Sequence, residues 1–106
     1  MNFPITTKLT GVTFGNAPEN IRRFGCADIG TYGVHREPDN AHDGNAIWVG
    51  LTPEWKMGYL PRDLARELAP MMDAGRRFIA EFVCRNEFPP HERIGITVRI
   101  VETTDN

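Results

Sequence analysis

The sequence predicts a mainly β chain of the α+β type, six strands and two short helices folded into a closed or nearly closed antiparallel barrel. Three observations predict it. Short stretches of alternating apolar residues recur along the chain, the clearest at 94–102, where Ile94, Ile96, Val98 and Ile100 alternate with Gly95, Thr97 and Arg99. Helical spacing occurs in two places without regular strand–helix alternation, which argues against a doubly wound parallel sheet. The length of 106 residues, with 41% apolar and 25% charged residues, suits one soluble globular domain spanning 1–106 with a core of about 8–102.

Taken in order, residues 1–7 read as a lead-in. Residues 8–14 read as the first strand, with Thr10, Val12 and Phe14 on one face. Residues 18–24 read as a short helix. Pro18 stands near its first turn, Glu19 at the positive end of the dipole, Arg22 and Arg23 at the negative end, and Gly25 is the stop. Residues 29–37 read as the second strand and 46–50 as the third. Thr52, Pro53 and Glu54 turn the chain into a fourth strand at 56–60, which makes a hairpin.

Pro61 opens the second helix, where Leu64, Leu68, Met71 and Met72 form a stripe at amphipathic spacing. Pro70 cannot donate to the helical ladder, so a break or kink is expected there, and Gly75 ends the helix. Residues 76–85 read as the fifth strand, with Phe78, Ala80, Phe82 and Cys84 on one face. A loop containing Pro89 and Pro90 leads to the sixth strand, and 103–106 is a polar tail.

Between the second and third strands lies the most turn-rich stretch, REPDNAHDGNAI (36–47). Pro38 fixes its own φ, Asp39, Asn40 and Asp43 can fold side-chain oxygens onto nearby backbone N–H groups, and Gly44 can take φ > 0. The loop is built to hold one shape, with Asn40, His42 and Asp43 at its tip.

The formal net charge is −2, from 12 Lys and Arg against 14 Asp and Glu, which argues against coating nucleic acid by bulk charge. Cys26 and Cys84 match no metal-binding spacing and read as buried or half-buried thiols in a reducing compartment. No secretory h-region and no run of membrane-spanning length is visible, so a cytoplasmic location without membrane contact is expected.

Two blocks, REPDNAHDGNAIWV (36–49) and GYLPRDLARELAPMMDAG (58–75), together with GVTF (11–14), resemble the HIRAN domain family from about residue 9 to about residue 101. The resemblance implies an OB-like barrel of six strands and two helices. It further implies a free-standing member of a family whose fused members remodel stalled replication forks and grip the free 3′-hydroxyl end of single-stranded DNA. On that footing Asp43 corresponds to the end-reading carboxylate and Asn40 to a loop amide. Tyr59 matches an aromatic or His position, Arg62 a phosphate-contacting cation, Phe14 a strand aromatic that stacks, and Phe88 an aromatic that packs on a base. His42 stands where DNA-binding members carry a tyrosine, and Thr13 where they carry an arginine. The lost arginine removes a charge-assisted phosphate contact of roughly 1.5–3 kcal/mol.

Each of these residues also has a structural reading. Asn40 and Asp43 can shape their own turn. Phe14 can face the core, and Tyr59 can sit in the barrel wall with its hydroxyl in water. Arg62 opposes the helix dipole in a first turn, which favours a functional role, as does the polar loop around Phe88.

The leading reading is a non-enzymatic module for single-stranded DNA ends in repair or fork processing, acting alone or beside a separately encoded ATPase. The alternative is a protein-interaction or regulatory module that has lost DNA binding, motivated by Thr13, His42 and the acidic balance. A third is a metal-dependent nuclease using Asp39, Asp43 and His42. The stretch from Asp39 starts like a calcium loop, but Ala41 occupies its third position and Gly50 the twelfth, where a bidentate Glu is needed. His35 is expected on a strand, pointing away from the loop tip. The chain has no serine and no Gly-rich phosphate loop, and no cofactor is expected.

Overall fold

In a computed structural model of the chain, residues 1–87 and 93–103 are described. The alternating strand at the end of the chain, β6 (Ile94–Thr103), forms as its pattern predicts: Ile94, Ile96, Val98 and Ile100 are buried, and the residues between them are not. The other strands are β1 (Ile5–Lys8), β2 (Thr31–Arg36), β3 (Ile47–Gly50), β4 (Lys56–Tyr59) and β5 (Arg77–Glu87). The six form one antiparallel sheet in the order β1-β6-β5-β2-β3-β4. It curls into the mainly β, OB-like architecture expected.

Two helices cover the sheet. α1 (Ala17–Phe24) carries Pro18 in its first turn and buries Ala17, Asn20 and Ile21. α2 (Arg62–Asp73) follows β4 after Leu60 and Pro61 and buries Ala65, Leu68 and Ala69. Leu64, Met71 and Met72 pack half-buried against the same core. A short 3-10 turn, Pro53–Trp55, closes the β3–β4 hairpin. Among the described residues no helix is long and apolar enough to cross a membrane.

The sheet curls because the chain after β1 changes partners. Leu9 N–H still donates to Ile96 O on β6, at 3.1 Å. One residue later Thr10 and Tyr59 exchange both backbone hydrogen bonds, joining the β1 end of the sheet to β4. Gly58 permits this approach: a Cβ there would lie 2.7 Å from the Thr10 carbonyl oxygen and 3.1 Å from Leu9 Cβ.

Three expectations are corrected. The first strand lies at Ile5–Lys8, not at 8–14, because Gly11 adopts φ +64° and Phe14 N–H bonds back to Gly11 O, which ends extension after Thr10. Helix α2 runs through Pro70 to Asp73 instead of breaking there, its last turn held by the packing of Met71 and Met72 on the core. Cys84 is exposed rather than on the core face. A bulge between Phe82 and Cys84 sets two β5 residues against one on β6, so the alternation slips.

Candidate nucleic-acid interface

The loop between β2 and β3 is held by its own amides and carboxylates. Asn40 Oδ1 accepts from the backbone N–H groups of His42 (2.8 Å) and Asp43 (3.0 Å), and Asp43 Oδ1 accepts from Asn45 N–H at 2.9 Å. At the base of the loop Glu37 N–H donates to Ala46 O. Arg36 clamps the same segment. Its guanidinium donates to Gly44 O at 3.0 Å and pairs with both carboxylate oxygens of Asp73 at the end of α2.

Arg62 reaches back from the first turn of α2 to this loop. It donates to His42 O at 2.8 Å, and its Nε lies 3.6 Å from Asp43 Oδ2. Its place against the dipole therefore has a local reason, since it faces a carboxylate and a carbonyl. The Arg62 side chain remains 69% exposed while Asp43 is 21% exposed, so the cation stays available to solvent as it borders the acid.

Phe14 stands outside the core, 74% exposed, on the turn that Gly11 starts. A Cβ at Gly11 would lie 3.3 Å from the Tyr59 ring and 3.5 Å from the Phe14 ring, so the glycine lets both rings crowd its backbone. Phe14, Asn40, His42, Asp43, Tyr59 and Arg62 line one groove of about 480 Å³, whose remaining surface comes from Thr10, Gly11, Ala46 and Leu60. Thr13 lies exposed beside Phe14. Phe88 lies outside the described residues.

The reading of Tyr59 with its hydroxyl in water is overturned. The hydroxyl donates to the Glu37 carboxylate, 2.9 and 3.0 Å from its two oxygens. Glu37 also accepts from Lys56 Nζ (2.6 Å) and from Asn40 Nδ2 (2.9 Å). Burial pushes the Glu37 carboxyl upward, but the hydrogen bonds from Lys56, Asn40 and Tyr59 outweigh it and hold the group below its ordinary range. The hydrogen bond to Glu37 raises Lys56, and burial followed by that same carboxylate raises Tyr59.

Sequence reasoning missed Glu37 as a hub. Asn40 is a local partner, but Lys56 and Tyr59 lie 19 and 22 residues away and meet Glu37 through the sheet, so its neighbours in sequence did not mark it as a hub. His35 stacks on Trp48, ring centroids 4.2 Å apart, rather than joining the loop tip. Among the described residues no group of three or more His, Cys, Asp or Glu side chains gathers closely enough to hold a metal ion.

Comparison with known proteins gives a consistent family. The model of the HIRAN domain matches residues 10–102. The chain is 49% identical over 41 residues to the Fanconi-associated nuclease 1 homolog of Oryza sativa subsp. japonica, a match that takes in 36% of this chain and 4% of that protein. A crystal structure of a protein from Lactobacillus plantarum superposes with a TM-score of 0.72 at 20% identity, covering 92% of this chain and 89% of the other. The HIRAN domain of human HLTF superposes with a TM-score of 0.62 at 20% identity, covering 92% of this chain and 73% of the other.

Proposed function

The chain belongs to the HIRAN domain family, and from that premise we propose that it is a non-enzymatic DNA-binding module whose groove takes the 3′-hydroxyl end of single-stranded DNA in repair or fork processing. The observation that carries this reading is the meeting of Asp43, Arg62 and Phe14 on one groove. An ionised carboxylate accepts a hydrogen bond from a 3′-hydroxyl and repels a 3′-phosphate. Asp43 has Oδ1 committed to its own turn and Oδ2 turned toward Arg62, which leaves that second oxygen as the acceptor for a strand end. Among the described residues Arg62 is the cation that lines the groove, and it suits the phosphate that precedes the end. The exposed Phe14 ring offers a face on which any base stacks.

The test is fluorescence-polarisation binding of a short single strand ending in a 3′-hydroxyl against the same strand ending in a 3′-phosphate, at low and physiological salt. A hydroxyl preference that persists with salt is expected. Equal weak binding that vanishes with salt would reduce the contact to generic charge. A second reading, a protein-interaction or regulatory module, is favoured by the groove having, among the described residues, one cation in a chain of net charge −2. Absence of binding at either salt would select it.

A further inference from the structure

A second groove, of about 300 Å³, shares Gly11, Phe14 and Tyr59 with the first and continues along Ala17 and Asn20 of α1 to Glu54 and Lys56. Trp55 stands between those last two residues, in the 3-10 turn of the β3–β4 hairpin, and is 40% exposed. The chain's other tryptophan, Trp48, is buried. Among the described residues Phe14 and Trp55 are the exposed Phe, Tyr or Trp side chains. One stands where the two grooves meet, the other beside the residues of the hairpin that line the second.

The exposed Trp55 ring is held in place. Asn20 Nδ2 donates to Lys56 O at 2.9 Å, which ties the end of the 3-10 turn to α1. One helical turn beyond Asn20, Phe24 packs against Trp55, ring centroids 5.2 Å apart. The Arg23 guanidinium lies over the same Phe24 ring, 5.4 Å from its centroid. Arg85 comes to this end of α1 from β5: it donates to Arg22 O at 3.0 Å and also pairs with Glu87. The helix dipole favours the two cations on α1 itself, but it does not account for the third. Charge is divided along the path. Glu19 and Glu54 disfavour a phosphate beside the first turn of α1, and Arg22, Arg23 and Arg85 favour one beside its last.

We infer that Trp55, backed by Phe24 and Arg23, is a second stacking platform for single-stranded DNA, several nucleotides 5′ of the end that lies in the first groove. The inference rests on the single-strand reading above and deepens it, because it gives the strand a path and a length. A flat ring beside guanidinium groups holds a single strand without regard to sequence, the ring taking a base and the cations its phosphates. The second groove joins the two rings, since Phe14 borders it and the neighbours of Trp55 line it. Helix α1 rises about 10 Å between Ala17 and Phe24, and a stacked strand advances about 3.4 Å per nucleotide. Trp55 therefore meets a base about three nucleotides beyond Phe14. A dinucleotide bound by its end falls short of the platform, and a hexanucleotide reaches it.

The experiment titrates the chain with oligothymidylates of two to eight nucleotides, each ending in a 3′-hydroxyl or a 3′-phosphate, and reads affinity and tryptophan fluorescence together. In the wild type the hexamer is expected to quench the exposed Trp55 and the dimer to leave the emission unchanged. Trp55→Ala is expected to weaken the hexamer on the order of tenfold and to leave the dimer as it was, whereas Trp55→Phe, which keeps a flat ring, retains most of the hexamer's affinity. Arg23→Gln should weaken the hexamer and not the dimer. Hexamer affinity unchanged in Trp55→Ala overturns the platform and leaves any hydroxyl-over-phosphate preference standing. An equal loss for dimer and hexamer overturns it too, since the dimer does not reach Trp55. The fluorescence measurement needs no variant: a bound hexamer that leaves the wild-type emission unchanged overturns the platform even if Trp55→Ala does not fold. Absence of binding by every strand overturns both readings.

Discussion

Thr10 and Tyr59 exchange two backbone hydrogen bonds, each 2.8 Å long, and this one bridge joins the chain beyond β1 to β4. The same pair sets the candidate interface. Thr10 leads directly into Gly11 and the turn that lifts Phe14 out of the core, while Tyr59 carries its hydroxyl to Glu37 under the loop. Closure of the sheet and placement of the groove are therefore one event.

Gly58→Ala tests that coupling. Its Cβ would press on the Thr10 carbonyl at 2.7 Å, and backbone cannot step aside as a flexible side chain can. The expected loss is about 2 kcal/mol of stability, read as a fall in Tm of roughly 10 °C. Any DNA affinity should fall with it, because Phe14 is displaced. A Tm equal to wild type would show that the bridge is not tight.

Phe14→Ala should separate stability from binding. The ring is exposed, so the melting midpoint should move by less than about 0.5 kcal/mol equivalent. Affinity for single-stranded DNA should drop by about 1–3 kcal/mol through the lost stacking face. Unchanged affinity would remove Phe14 from the interface.

Asp43→Asn keeps an oxygen able to accept from Asn45 N–H, so the turn should survive. The lost charge weakens a charge-assisted bond to a 3′-hydroxyl by roughly 1.5 kcal/mol and relieves repulsion of a 3′-phosphate. In polarisation titrations the hydroxyl-over-phosphate ratio should collapse toward one. A ratio equal to wild type would refute end recognition by this carboxylate.

Glu37 predicts a pH dependence of stability. Its folded pKa lies below the ordinary 4.5, so its contribution is complete above that value and is lost as pH falls through the folded value. Lys56 is raised, so its contribution is complete below its ordinary 10.5 and is lost as pH rises through the folded value. The pair therefore acts across the neutral range. Glu37→Gln should cost about 1 kcal/mol at pH 7 and make the acid loss shallower in urea unfolding. Asp73 and Glu102, lowered by hydrogen bonds from Arg36 and Arg76, should leave a residual acid slope. Parallel acid limbs in the two proteins would show that Glu37 is not a linked group.

Much of this was legible because it is local. Alternation at Ile94 to Ile100 reports which face of β6 is buried before any partner is known. Pro18, Glu19 and Gly25 frame α1, and Asn40 and Asp43 carry the turn chemistry that their backbone uses. Six of the seven residues singled out for DNA contact line one groove, and the seventh, Phe88, lies outside the described residues.

The sequence by itself determined the number and kind of elements, the shape of the loop tip and the family, since periodicity and turn chemistry act within a few residues. Tertiary structure alone decided where β1 lies, that Phe14 faces solvent, that Tyr59 serves Glu37, and that Asn20 is buried with its amide donating to Lys56 O. Each of these depends on a partner from elsewhere in the chain: β6 for β1, the Tyr59 backbone for Thr10, and the Lys56 carbonyl for Asn20. A strand's pattern states which side chains want burial, but which edge pairs with which is settled by long-range geometry.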